Sequence, residues 1–160
     1  MMNQETTSGD ARRDARAMRA TKALTAAAEA AARERERHAA AYGVTDAKLA
    51  VLDMLSCCAD GGACLYAVGD ELGVSRPNVT KLVDGLERSG LAERRRHPDD
   101  GRMVRAELTD DGAALADEAL PGRVERMAGF WDRLDDDELG ALTELLERLA
   151  AGDREAAGPA

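Results

Sequence analysis

The sequence predicts a mainly α fold with a small β-wing, and three observations carry that prediction. Aromatic residues make up only 2% of a chain that is 44% apolar. The core must therefore be built from Leu, Val, Met and Ala, which suits closely packed helices better than a sandwich of sheets. From about Asp10 to Ala41 there is neither Pro nor Gly, and Ala, Arg and Glu dominate, which predicts one long helix. Between Val74 and Thr109 a short amphipathic helix precedes two strand-like runs, joined by a turn rich in Pro, Asp, Gly and Arg. That is the outline of a winged helix-turn-helix.

The elements follow in order. Residues 1–9 are polar and are expected to be disordered. The helix over residues 10–43 has an apolar face made mostly of Ala, with Met18, Leu24 and Tyr42 as its larger members. Such a stripe suits close packing against another helix, including one from a second subunit. The run through Arg33, Glu34, Arg37 and His38 reads as its polar surface. Gly43 ends the pattern, and Thr45-Asp46 caps a second helix reaching about Cys58, with Leu49, Leu52 and Leu55 inward. After the Asp60-Gly61-Gly62 turn, Ala63 to Tyr66 allows only an edge strand. Val68 and Leu72 then recur at helical spacing, and Gly73 closes that segment.

The next helix starts at Ser75, an N-cap candidate, with Pro77 in the first turn where its missing N–H costs nothing. Val79, Leu82, Val83 and Leu86 fall at i, i+3, i+4 and i+7 and face inward. The opposite face carries Pro77, Asn78, Thr80, Lys81, Asp84 and Arg88, with Arg76 at the leading end. Leu91–Arg96 and Met103–Leu108 alternate as paired strands, and His97–Arg102 forms the loop between them. Thr109 caps a helix reaching about Arg133, which Pro121-Gly122 should bend or interrupt. Asp135 and Glu138 form a capping box for a last helix striped by Leu139, Leu142, Leu145, Leu146 and Leu149. That stripe is richer than a terminal helix needs for its own domain. The expected organisation is a winged helix-turn-helix lobe over 44–109, flanked by N- and C-terminal dimerisation helices over 10–43 and 110–152. Residues 153–160 are expected to form a flexible tail.

Charge locates the working surface. The chain carries a formal net charge of −9, yet residues 75–105 hold eight basic and five acidic side chains, a local +3. Residues 106–160 hold five and fifteen, a local −10. Local field decides where a phosphate backbone docks, so the basic stretch is the candidate DNA surface and the acidic tail repels DNA from the other face. Short polar and basic groups on the first two turns of the helix from Ser75 are the types that contact bases and phosphates. A basic wing tip suits a minor groove; there Arg102 would be held extended by Asp100.

Other chemistry finds little footing. Cys57, Cys58 and Cys64 fit no zinc spacing, and the only histidines are His38 and His97. The three thiols read as small apolar side chains near a helix end, with redox sensing as the alternative. There is no nucleophile–base constellation and no glycine-rich phosphate loop, so no enzyme, cofactor or metal is expected. No apolar run approaches the ~20 residues of a membrane span and no signal-peptide core is present, so a cytoplasmic protein is expected. A winged-helix module that binds protein and reads no DNA is the alternative. The density of arginine at 94, 95, 96, 102 and 105 argues against it.

From Val44 to about Ala150 the chain resembles the multiple-antibiotic-resistance regulator (MarR) family of winged-helix transcription factors. The resemblance rests on the run Val74–Glu87, on Ser89-Gly90-Leu91 and Arg94, and on Pro98-Asp99-Asp100-Gly101-Arg102 leading to Leu108-Thr109 and Gly112. It implies a symmetric homodimer joined by its first and last helices on a pseudo-palindromic operator, repressing a nearby operon until a small-molecule effector releases it. Carried over, Ser75, Arg76, Asn78, Thr80 and Lys81 would contact the major groove or its phosphates, and Arg102 the flanking minor groove. Pro77, Arg94 and Arg96 complete the expected DNA-binding set. The first helix departs from the family in lacking large apolar pocket residues and an early cysteine. For an effector pocket, His38, Tyr42 and Trp131 are the candidates.

Overall fold

A computed structural model describes residues 4–58, 61–97 and 103–156, with side chains described between residues 10 and 151. The chain runs α1 (Gln4–Ala40), α2 (Asp46–Ser56), β1 (Gly62–Cys64), α3 (Leu65–Leu72), α4 (Arg76–Arg88), β2 (Ala92–Arg96), β3 (Val104–Leu108), α5 (Asp110–Trp131) and α6 (Asp136–Ala156). The expected mainly α fold with a β-wing is what the chain adopts. Three boundaries differ. Helix α1 begins at Gln4 rather than near Asp10, because the polar opening residues also lack Pro and, Gly9 apart, any helix breaker. Helix α6 continues to Ala156, past the boundary expected at 152. Helix α5 is continuous through Pro121, whose side chain points to solvent.

The caps follow the sequence closely. The Thr45 hydroxyl accepts from the Lys48 N–H, and the Thr109 hydroxyl accepts from the Gly112 N–H. Asp135 and Glu138 each accept the other's backbone N–H, at 2.9 and 3.2 Å. Ser75 occupies the N-cap of α4, but its hydroxyl makes no capping hydrogen bond.

The core lies under α4. Leu49, Val51, Leu52 and Leu55 of α2 meet Val68 of α3 and Val79, Val83 and Leu86 of α4, all fully buried. Ala116 and Ala119 of α5 and Ala39 of α1 close it from the other side. Helix α3 ends on Gly73, whose φ of +63° lets the chain reverse into α4 within three residues. The sheet has order β1-β3-β2, antiparallel throughout, with Arg94 opposite Ala106 and Ala63 opposite Ala106 on the other edge.

The wing is fastened to α5 at one point. The Thr109 hydroxyl donates to the Gly90 carbonyl at 2.6 Å, and the Leu91 carbonyl packs against Gly112. A Cβ at position 112 would stand 1.8 Å from that carbonyl oxygen, so only glycine fits. This is the physical content of the Leu108-Thr109…Gly112 motif. Among the described residues, no helix is long and apolar enough to cross a membrane.

Candidate nucleic-acid interface

Helix α4 presents the surface the sequence assigned to it. Ser75, Arg76, Pro77, Asn78, Thr80 and Lys81 are all exposed, while Val79 and Val83 behind them are buried. The helix has its inner face committed to the core and its first two turns open to solvent. Arg96, at the far end of β2, is exposed too. The wing tip, with Asp100 and Arg102, lies outside the described residues.

Between α4 and the wing runs an open groove of about 680 Å³. Leu65 and Tyr66 of α3, Arg76 and Thr80 of α4, and Met103 and Val104 at the start of β3 line it. Tyr66 and Val104 are about half exposed there, at 50% and 43%. Their exposure could not be read from sequence, since a Tyr and a Val in amphipathic segments ordinarily signal burial.

The arginines of the wing divide into two groups by their partners within the chain. Arg94 belongs with the structural ones. Its Nη1 lies 2.6 Å from Asp84 Oδ1 and is also paired with Glu87. Its Nη2 donates to the Thr80 carbonyl at 3.1 Å, and its own backbone N–H donates to Glu87 at 2.8 Å. Arg94, expected among the DNA contacts, thus staples β2 to α4. The pairing also offsets part of the carboxylate charge of α4, which would otherwise repel phosphate.

Arg95 and Arg105 are likewise held. Arg95 lies between Glu93 and Glu107, and its guanidinium is pushed above its usual value, first by its hydrogen bond to Glu93 and then by the two carboxylate charges. Arg105 donates to the Gly62 carbonyl at 3.0 Å, which ties β3 to β1. Arg76, Lys81, Arg88 and Arg96 have no ion-pair partner among the described residues. These four form the free cationic set, and Arg88 joins it although sequence reasoning placed it only on the outer face.

The expected effector residues are arranged differently. His38 is buried, 4% exposed, not on the polar surface of α1. Its Nε2 donates to the Ala119 carbonyl at 2.8 Å, and its ring meets Tyr42 edge-on at 5.2 Å. A Cβ on Gly122 would come within 3.2 Å of the His38 ring. His38 is therefore a packing element between α1 and α5. Trp131 has Phe130 as its ring partner at 4.9 Å. Of the cysteines, Cys57 is exposed and Cys58 and Cys64 half-buried, all with free thiols. No group of His, Cys, Asp and Glu among the described residues is arranged to hold a metal.

The same lobe recurs in known proteins. A family model described as MarR family matches residues 42–103, the span from the end of α1 to the wing. The chain is 35% identical over 107 residues to the HTH-type transcriptional regulator YkoM of Bacillus subtilis (strain 168), covering 67% of this chain and 68% of that one. It is 29% identical over 119 residues to the HTH-type transcriptional repressor YetL of the same organism, covering 72% and 71%. Among solved structures, Sco3205 from Streptomyces coelicolor, a MarR family transcriptional regulator in complex with DNA, superposes with a TM-score of 0.79 at 22% identity. That superposition covers 86% of this chain and 88% of the other.

Proposed function

Because the chain belongs to the MarR family, we propose that it is a dimeric, sequence-specific DNA-binding transcription regulator that acts as a repressor in the cytoplasm. The observation that carries this is the free cationic set. In a lobe whose other described arginines are held by carboxylates or carbonyls, Arg76, Lys81, Arg88 and Arg96 stay exposed on α4 and β2, with no ion-pair partner among the described residues. Uncompensated cations on this one face are what a phosphate backbone would neutralise.

In this reading α4 enters the major groove. Asn78 and Thr80 face base edges, because their short side chains sit on the exposed first turns, and Ser75 and the Pro77 ring pack at the leading end. Arg76, Lys81 and Arg88 meet phosphates. The groove between α4 and β3 seats a sugar–phosphate strand, with Arg96 beyond it and Arg102, by its place in the wing motif, at the flanking minor groove. Two copies joined through α1 and α6 present two such surfaces to a pseudo-palindrome. Repression follows from occupancy of a promoter. A small-molecule effector that favours a dimer with a different separation of the two α4 helices would release it. The fold neighbour solved on DNA and the relative named a repressor support this reading.

Selection of bound duplexes from a random pool tests it. The expected product is an inverted repeat whose half-sites are centred about one helical turn, ~34 Å, apart. Recovery of no enriched sequence would transfer the case to the protein-interaction reading.

A further inference from the structure

The junction between the terminal helices and the DNA-binding lobe holds a charge cluster that DNA contact does not use. Asp46, the first residue of α2, is its centre. Its Oδ2 accepts from Arg35 Nε of α1 at 3.0 Å, and its backbone N–H donates to Glu36 of α1 at 2.9 Å. Its Oδ1 is buried without a hydrogen bond and lies 3.5 Å from Arg123 Nη2 of α5. Arg123 also donates through Nη1 to Asp53 Oδ2 at 3.0 Å. Near it on α5, Arg126 pairs with Glu34 of α1 at 3.4 Å. The Arg123 and Asp46 side chains are each 21% exposed, so solvent screens their pair only partly.

The spacing gives this cluster a geometrical role. Asp46 and Asp53 lie seven residues apart on α2, which separates their backbones by about 10 Å along the helix axis. One guanidinium reaches both carboxylates. Any tilt of α2 against α5 must lengthen one contact or the other, so the arrangement is sensitive to the angle between them. The fully buried apolar residues of α5 at this junction are Ala116 and Ala119, with Leu115 and Leu120 partly buried beside them. The two alanines allow close approach but interlock weakly, so a directional contact adds to what fixes the angle.

Helix α2 passes that angle on. Lys48, on the same first turn as Asp46, donates from Nζ to the Gly85 carbonyl of α4 at 3.1 Å. Helix α4 packs on α2, α3 and β2, and α2 in turn packs on α1 and α5. We propose that Arg123 is a positioning residue that fixes the orientation of the DNA-binding lobe on the terminal helices and so sets the half-site spacing the dimer accepts. The inference rests on the DNA-reading dimer proposed above.

The test uses duplexes selected by the wild-type protein, with the distance between half-sites lengthened or shortened one base pair at a time. Wild type should bind one spacing best. Arg123→Gln should lose about tenfold on that spacing and flatten the profile across the others. Arg123→Lys should restore part of the preference, and Asp53→Asn should shift it in the same direction as Arg123→Gln but less. Binding to an isolated half-site should not change in any variant, which a general loss of folding would not reproduce. If Arg123→Gln fails to fold, the more exposed Asp53→Asn decides alone. Spacing profiles parallel to wild type in the folded variants overturn the clamp while leaving DNA reading intact. Failure of the wild type to bind any duplex overturns both.

Discussion

Helices α4 and α6 carry the same sequence pattern and end in opposite situations. Both repeat apolar residues at i, i+3, i+4 and i+7. On α4 the pattern is satisfied within the chain, for Val79, Val83 and Leu86 are all 0% exposed. On α6 it is not. Leu139, Leu142 and Leu146 are half-covered, and Leu145 and Leu149 remain 53% and 67% exposed. Helix α1 behaves like α6, since residues 10–29 are exposed throughout, Met18 at 59% and Leu24 at 46% among them. An amphipathic pattern says that a face must be covered but not by which chain. The lobe around α4 is finished by its own residues, whereas the terminal helices leave apolar side chains open, which the dimer proposed above would cover with a second copy.

Breaking α4's inner face should produce the larger effect. Leu86→Ala leaves a void where every neighbour is already packed, and should cost about 2–5 kcal/mol in urea unfolding. A reduction well below that would mean α4 is held mainly by the Arg94 staple rather than by its core. Breaking α6 should act differently. Leu145→Glu with Leu149→Glu puts charge on residues that the chain's own fold leaves exposed, so the helical content by circular dichroism should hold. Sedimentation should show monomers, and operator affinity should fall about a hundredfold as the second half-site contact ceases to be intramolecular. A variant that stays dimeric would remove α6 from the interface.

Much of this contrast is legible in the sequence. The capping residues Thr45, Thr109 and Asp135 are local signals, resolved within four residues of themselves, and each caps as its sequence says. The buried and open faces of α4 also follow from a short period. What failed was long-range. His38 shares the phase of the polar residue Glu34 four positions earlier, so α1 alone places it outside. Its actual partner, the Ala119 carbonyl, lies 81 residues on. Arg94 counted as a cation because charge is visible in sequence and pairing is not; Asp84 and Glu87 reach it only once β2 folds back on α4. Arg123 gave no signal, because an arginine in an acidic segment gains its meaning from two carboxylates on another helix.

The same distinction between visible charge and available charge supplies the smallest effect. Lys81→Ala removes a free cation from the outer face of α4. It should weaken binding to all sequences alike and lower the slope of log affinity against log salt by about one for each phosphate no longer neutralised. Asn78 stands on the same exposed face without charge, so its removal should alter base preference and leave that slope where it was. Arg95→Ala is the stringent control. It removes an equal formal charge from the wing, and a count of basic residues would expect the same shift. In the fold that charge is already held by Glu93 and Glu107, so its removal also frees their negative charge beside β2. Its slope should match wild type in a titration where Lys81→Ala departs from it. Equal slopes for the two variants would mean that the wing's ion pairs open on DNA and that paired and free arginines do the same work.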